Sequence, residues 1–113
     1  MTDYIIALTT ANSQELAQAI ATNLVTQALA ACVNIIPNIT SVYKWKGDVC
    51  VDQEWLLLIK TRAKCFAALS EQIKAQHTYE VPEVIALPIL AADMDYLKWL
   101  AASTQPIYPD ERG

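Results

Sequence analysis

Residues 32 to 46 alternate for longer than a chain of this size can enclose. Val33, Ile35, Pro37, Ile39, Tyr43 and Trp45 share one parity, while Asn34, Asn38, Thr40, Lys44 and Lys46 occupy the other. That is the period of a strand with two unlike faces. Gly47 and Asp48 supply a turn, and Val49 to Thr61 then runs apolar and β-branched into Lys60, so the two segments predict a hairpin. Pro37 lacks an N–H for the ladder and marks a bulge or an edge. At about 3.3 Å per residue, this segment reaches roughly 50 Å, whereas a compact sphere of such a chain is only about 35 Å across. The hairpin therefore overshoots its own core. Its tip carries Tyr43 and Trp45, with Trp55 nearby, and exposed strands of that kind aggregate unless covered. Another copy of the same chain is the simplest cover.

The remaining elements fit around that hairpin. The run YIIAL, Tyr4 to Leu8, predicts a buried strand. Asn12, three residues before Glu15, has the spacing of a capping box, and Leu16, Ile20, Leu24 and Gln27 follow at helical intervals, which predicts a helix from about Ser13 to Gln27. A second amphipathic helix is expected over Ala63 to Gln76 through Phe66, Leu69 and Ile73. Tyr79 to Glu83 is a Pro-containing connection, Val84 to Leu90 a fourth strand, and Asp93 caps a short last helix through Met94, Leu97, Trp99 and Leu100. Pro106 and Pro109 predict an extended tail. The order βαββαβ predicts an α+β, ferredoxin-like sandwich with a long hairpin and a short C-terminal helix, one domain over residues 1–113.

Composition narrows the function. With 8 Lys and Arg against 12 Asp and Glu, the net charge of −4 has the wrong sign for nucleic acid or an anionic membrane. Two glycines, where a chain this long averages about eight, exclude Gly-rich phosphate loops. The apolar stretch from Val84 to Ala92 is about half the length a bilayer span needs. Three unevenly spaced cysteines, with no apolar leader before Tyr4, lead us to expect a reduced, cytoplasmic protein.

Few side chains carry chemistry. His77 is the single histidine, which excludes multi-histidine metal centres, but Tyr79, Glu80 and Glu83 follow it closely and could converge with it on a metal or polar ligand. The plainer alternative is a solvated loop with Glu83 paired to a lysine. Cys32 with His77 as base would make a nucleophile, yet no Asp or Asn is placed to orient the imidazole, and small-hydrophobe packing explains Cys32 and Cys65 as well. Cys50, near the turn, is the more reactive thiol if exposed. Asp52 and Glu54 share a strand face as a carboxylate pair, or else simply pair with Lys44 and Lys46 across the hairpin. Lys60 closes the run LLLI, where a cation can meet an anionic ligand or Glu83. No activated nucleophile emerges, so catalysis is not expected.

AAC at Ala30 to Cys32, SVYKW at Ser41 to Trp45, Gly47, LLLIKT at Leu56 to Thr61, HTYEVPE at His77 to Glu83 and YLKWL at Tyr96 to Leu100 follow one another in an order that resembles the CutA family of divalent-cation tolerance proteins. The resemblance implies a ferredoxin-like protomer in a tight homotrimer, similar to the PII signalling trimers, that is associated with copper or other divalent cations. Metal-binding members carry a cysteine at the end of the first strand and paired histidines before the Tyr. The matching positions here are Thr9, Gln76 and His77, so direct copper or zinc binding is expected to be weak and to depend on His77, with no cofactor required. The expected ligand cleft lies between subunits and draws on Tyr43, Trp45, Lys60, Tyr79 and Glu83. The alternative is a PII-like signalling trimer that binds a small anionic metabolite in that cleft and passes the signal to an unidentified protein partner.

Overall fold

Residues 3–105 are described by the computed structural model, and the expected tail at Pro106 and Pro109 lies outside them. Strand β1 (Tyr4–Ala11) leads to helix α1 (Gln14–Thr26), then to the long strands β2 (Cys32–Trp45) and β3 (Asp48–Arg62), helix α2 (Phe66–Gln76), the short strand β4 (Ile85–Pro88) and helix α3 (Met94–Ser103). All neighbouring strands pair antiparallel in the order β2-β3-β1-β4. Each connection that carries α1 or α2 therefore joins two parallel strands across one intervening strand, the split βαβ arrangement.

Several ends differ from the sequence expectation by a residue or a turn. The cap of α1 is Ser13, whose side chain accepts from Leu16 N at 3.1 Å, so Asn12 stands outside the helix and the capping frame moves on by one. Its C-terminus closes with Ala28 at φ 57, while Leu29 N donates to Leu24 O at 2.9 Å and Ala28 N to Val25 O at 3.0 Å. This is a Schellman closure with alanine where glycine is usual. Residues Ala63–Cys65 form a 3₁₀ turn rather than the first turn of α2. Strand β4 is shorter than the expected Val84 to Leu90, although Ile89 N still donates to Tyr4 O at 3.0 Å just beyond it. Asp93 caps α3 as expected, accepting from Tyr96 N at 3.1 Å.

The core lies between the helices and one sheet face. Ile20 and Leu24 of α1 and Leu69 and Ile73 of α2 are fully buried against Ala7, Ala11, Leu57 and Ile59. Each such aliphatic side chain contributes about 1.5–3 kcal/mol through burial. On the other sheet face the register sets Ile6, Leu8, Leu56 and Leu58 beside Ile85 and Leu87, which are half-exposed. Among the described sheet residues Leu57 and Ile59 of the first face are fully buried, whereas Ile6, Leu8, Leu56 and Leu58 of this face are only partly buried.

The hairpin leaves that core behind. The molecule measures 49 × 30 × 25 Å with a radius of gyration of 14.9 Å, against about 13 Å for a compact chain of this length. Trp45 pairs with Asp48, so Lys46 and Gly47 form the turn with φ 51 and 89, and Asp48 already belongs to β3. Two left-handed residues are what a two-residue hairpin loop needs to match the strand twist.

A bulge interrupts β2. Ile36 lies opposite Leu56 and Ile39 opposite Glu54, so Pro37 and Asn38 together face the single residue Trp55, and Asn38 takes φ 61. The stripe read as one parity is therefore two stripes. Val33 and Ile35 lie on the helix side with Leu57 and Ile59, while Ile39, Ser41, Tyr43 and Trp45 share the opposite side with Glu54 and Asp52. Trp55 is not near the tip: it pairs with Ala11 and packs against the core.

Candidate functional site

The parity change carries Tyr43 and Trp45 onto the face where the connection after α2 returns. Helix α2 ends at Gln76 and is capped by His77, whose N–H donates to Ile73 O at 2.9 Å, and the chain then runs past Thr10. Between this connection and the outer hairpin lies an open cleft of about 680 Å³. Tyr43, Trp45, Tyr79 and Glu83 all line it, as do Glu54 and Glu80.

Two tyrosine hydroxyls hold the strand carboxylates. Tyr79 OH donates to Glu54 Oε2 at 2.5 Å, and Tyr43 OH donates to Asp52 Oδ2. These replace the expected pairing with Lys44 and Lys46, because the register sets Lys44 against Val49 and Asp52 against Ser41. Burial, then the hydrogen bond to Glu54 and its charge, pushes the Tyr79 phenol well up from its ordinary 10.0. The bond to Asp52 does most to push Tyr43 up to about 12. Glu54 is 6% exposed, although it is a carboxylate.

His77 is committed to the backbone at both nitrogens. Nδ1 accepts from Tyr79 N at 3.1 Å, which leaves the ring proton on Nε2 to donate to Thr10 O at 2.6 Å. The ring also packs on Tyr79, 4.4 Å between centroids. A metal ion at His77 would have to displace one of these bonds. Among the described residues no three His, Cys, Asp or Glu side chains are grouped to hold a metal.

Lys60 is the expected cleft residue that the fold sets apart. It pairs with Ile6 and Cys32, four positions along β1 from Thr10 or roughly 13 Å, and its ammonium donates to Asn34 Oδ1. Cys32 is held at that same far end, with Sγ 3.9 Å from Asn34 Oδ1, so it does not form a dyad with His77. Cys50 is half-buried with Sγ 3.8 Å from Asp48 O, and Cys65 is buried.

The fold and the HTYEVPE connection lead to known proteins. The family model described as CutA1 divalent ion tolerance protein matches residues 5–103. The chain belongs to the CutA family. Among CutA relatives, the divalent-cation tolerance protein of Thermus thermophilus is 50% identical over 99 residues, covering 88% of this chain and 96% of its own length. The chloroplastic CutA 1 of Oryza sativa is 48% identical over 89% of this chain, which spans only 57% of that longer protein. The solved CutA structures of the same two organisms superpose with TM-scores of 0.88 at 49% identity and 0.89 at 47% identity, covering 90% and 92% of this chain and 99% and 95% of theirs.

Sequence reading missed Glu54 as a cleft residue. It treated Glu54 as half of a surface carboxylate pair, yet the residue shares its parity with Leu56 and Leu58 and stands next to Trp55 at the point where the hairpin leaves the core. A charge at such a position is held by a specific partner.

Proposed function

We propose that this CutA chain serves divalent-cation tolerance as a non-enzymatic, cytoplasmic homotrimer, with the cleft between hairpin and connection as its ligand site and only weak direct binding of copper or zinc. One observation carries the reading of the cleft: among the described residues its charged lining consists of Glu54, Glu80 and Glu83, with no lysine or arginine. An acidic cleft attracts cations and repels anions. This disfavours the alternative of an anionic metabolite in a PII-like trimer, since Lys60, which would have drawn the anion, donates to Asn34 instead. The backbone-committed imidazole of His77 supports weak metal affinity. The uncovered apolar sheet face and the protruding hairpin support assembly, and the family motifs support three copies. No helix among the described residues is long and apolar enough to cross a membrane, and all three cysteines are free, in keeping with a reducing compartment.

Light scattering after size exclusion is expected to give about three times 12.5 kDa. Calorimetric titration with copper(II) and zinc(II) at neutral pH is expected to give dissociation constants above about 1 μM, with the residual binding lost in His77→Ala. A stable monomer would remove the assembly. Tight stoichiometric binding that survives His77→Ala would move the metal ligands elsewhere, with Cys50 the first candidate.

A further inference from the structure

Two residues after α3 tie three distant parts of the chain together. Helix α3 stops at Ser103, and Gln105 belongs to no helix or strand. Its N–H nevertheless donates to Ala28 O at 2.9 Å, and its side-chain Nε2 donates to Gln27 O at 2.6 Å. These carbonyls stand at the C-terminus of α1, where the last turn has run out of intrahelical donors. From the end of β3, Arg62 donates through Nε to Thr104 Oγ1 at 3.1 Å and through Nη2 to the carbonyls of Thr104 and Gln105, each at 3.4 Å. Thr104 is 3% exposed, and its hydroxyl donates in turn to Leu100 O at 3.0 Å.

The same pair of residues meets a buried thiol. Cys65, in the 3₁₀ turn that follows β3, is fully buried, with Sγ 3.7 Å from Gln105 O. That one carbonyl accepts from both the guanidinium and the thiol. Every donor and acceptor here comes from a single chain, so the arrangement does not depend on what covers the sheet or the hairpin. Both Thr104 and Gln105 also lie beyond residues 5–103, the segment that the family model matches.

The bonds that hold Gln105 are few, whereas the strand and the helix beside it are held by their ladder and their helical turns. A segment without regular backbone pairing opens at a lower free energy than the elements around it. For Gln105 to leave, its two bonds to α1 and the long bonds to Arg62 must break, while no strand pairing is lost. Buried, Cys65 is inert; uncovered, a thiol reacts with electrophiles.

We propose that Thr104 and Gln105 form a latch over Cys65, fastened by Arg62 and by the C-terminus of α1, which opens as a unit while the rest of the fold stays closed and thereby gates the reactivity of this thiol. The latch is a conformational device separate from the cleft, and its success or failure leaves the reading of the cleft where it was.

The test follows alkylation of the full native chain by iodoacetamide, cysteine by cysteine, using mass spectrometry of the cleaved protein at urea concentrations well below global unfolding. In the parent, Cys65 is expected to react more slowly than Cys50 and at a rate that barely changes with urea, because opening two residues exposes little new surface. Arg62→Met removes the fork and is expected to speed Cys65 at least tenfold, while Cys50 keeps its rate and the dependence on urea stays flat. Arg62→Lys, which keeps the charge without the planar fork, is expected to fall between Met and the parent. Gln105→Ala is at an exposed position and removes only the side-chain bond to Gln27 O, so it is expected to keep the parent's circular dichroism and to speed Cys65 about threefold. A Cys65 rate that climbs steeply with urea in the parent and all three variants would mean that the thiol is reached only by global unfolding. A rate unchanged in both Arg62→Met and Gln105→Ala would mean that the segment does not cover it, and either result overturns the proposal.

Discussion

The inner and outer halves of the β2–β3 ladder share one backbone pattern and differ in everything around it. In the inner half, Val33 and Ile35 pair with Ile59 and Leu57 and pack against the buried core. In the outer half, Val42, Val49 and Val51 are exposed by 67%, 69% and 62%, although they pair or neighbour one another in the same regular way. The difference shows that ladder hydrogen bonds organise the hairpin without burying it. What stabilises the outer half is side-chain bonding across it, Tyr43 to Asp52 and Gln53 Nε2 to Thr40 Oγ1 at 3.1 Å, together with whatever covers it.

The contrast can be broken by truncating a side chain in each half. Leu57→Ala is expected to cost about 2–5 kcal/mol in denaturant unfolding, since Leu57 is fully buried and the core cannot close over the loss. Val51→Ala is expected to change stability by no more than about 0.5 kcal/mol. A loss at Val51 close to that at Leu57 would show that a second copy buries the outer hairpin as thoroughly as the helices bury the inner one.

A smaller effect sharpens the comparison where the two halves meet. Tyr79→Phe leaves Glu54 buried without its hydroxyl donor, and the expected cost is about 1–3 kcal/mol at neutral pH. The pH dependence has a definite sign. Both phenols are raised above their ordinary 10.0, so the folded state keeps its protons where the unfolded state has released them. Their stabilisation is complete below pH 10 and is lost as pH climbs toward 12 and beyond. Thermal melts between pH 9 and 12 are expected to show this fall, less steeply in Tyr79→Phe, and an unchanged slope would mean that the phenol does not hold Glu54.

The smallest expected change lies in the core half. Thr9 is fully buried, and its Oγ1 has no hydrogen-bond partner among the described residues. Thr9→Val keeps the shape and removes the stranded hydroxyl, so stability is expected to hold or to rise by up to about 1 kcal/mol. A clear fall in melting temperature would reveal that the hydroxyl is bonded, for example to a buried water.

The fold was legible because its signals are local. Leu16, Ile20 and Leu24 announced α1, Asp93 announced the cap of α3, and the long alternation announced the hairpin. The cleft was half legible: Tyr43, Trp45, Tyr79 and Glu83 were named from their motifs and the structure sets them around one space. Lys60 lies at the other end of β1 from this space within one chain, a placement that motif order could not give because it says nothing of register. Glu54 escaped notice because its burial depends on a tyrosine 25 positions later in the chain, which only the return of the connection after α2 brings near.

The bulge at Pro37 and Asn38 makes the hairpin's display a matter of counting. One unmatched residue in β2 lets odd-numbered positions serve the core before it and the cleft after it. Deleting that residue while β3 and the turn kept their places would leave Tyr43 opposite Cys50 and Trp45 opposite Asp48, both still on the cleft side, and would remove only the local kink. The extra residue is thus an adapter between two reading frames of one strand, so that substitutions of the same parity reach the core on one side of it and the cleft on the other.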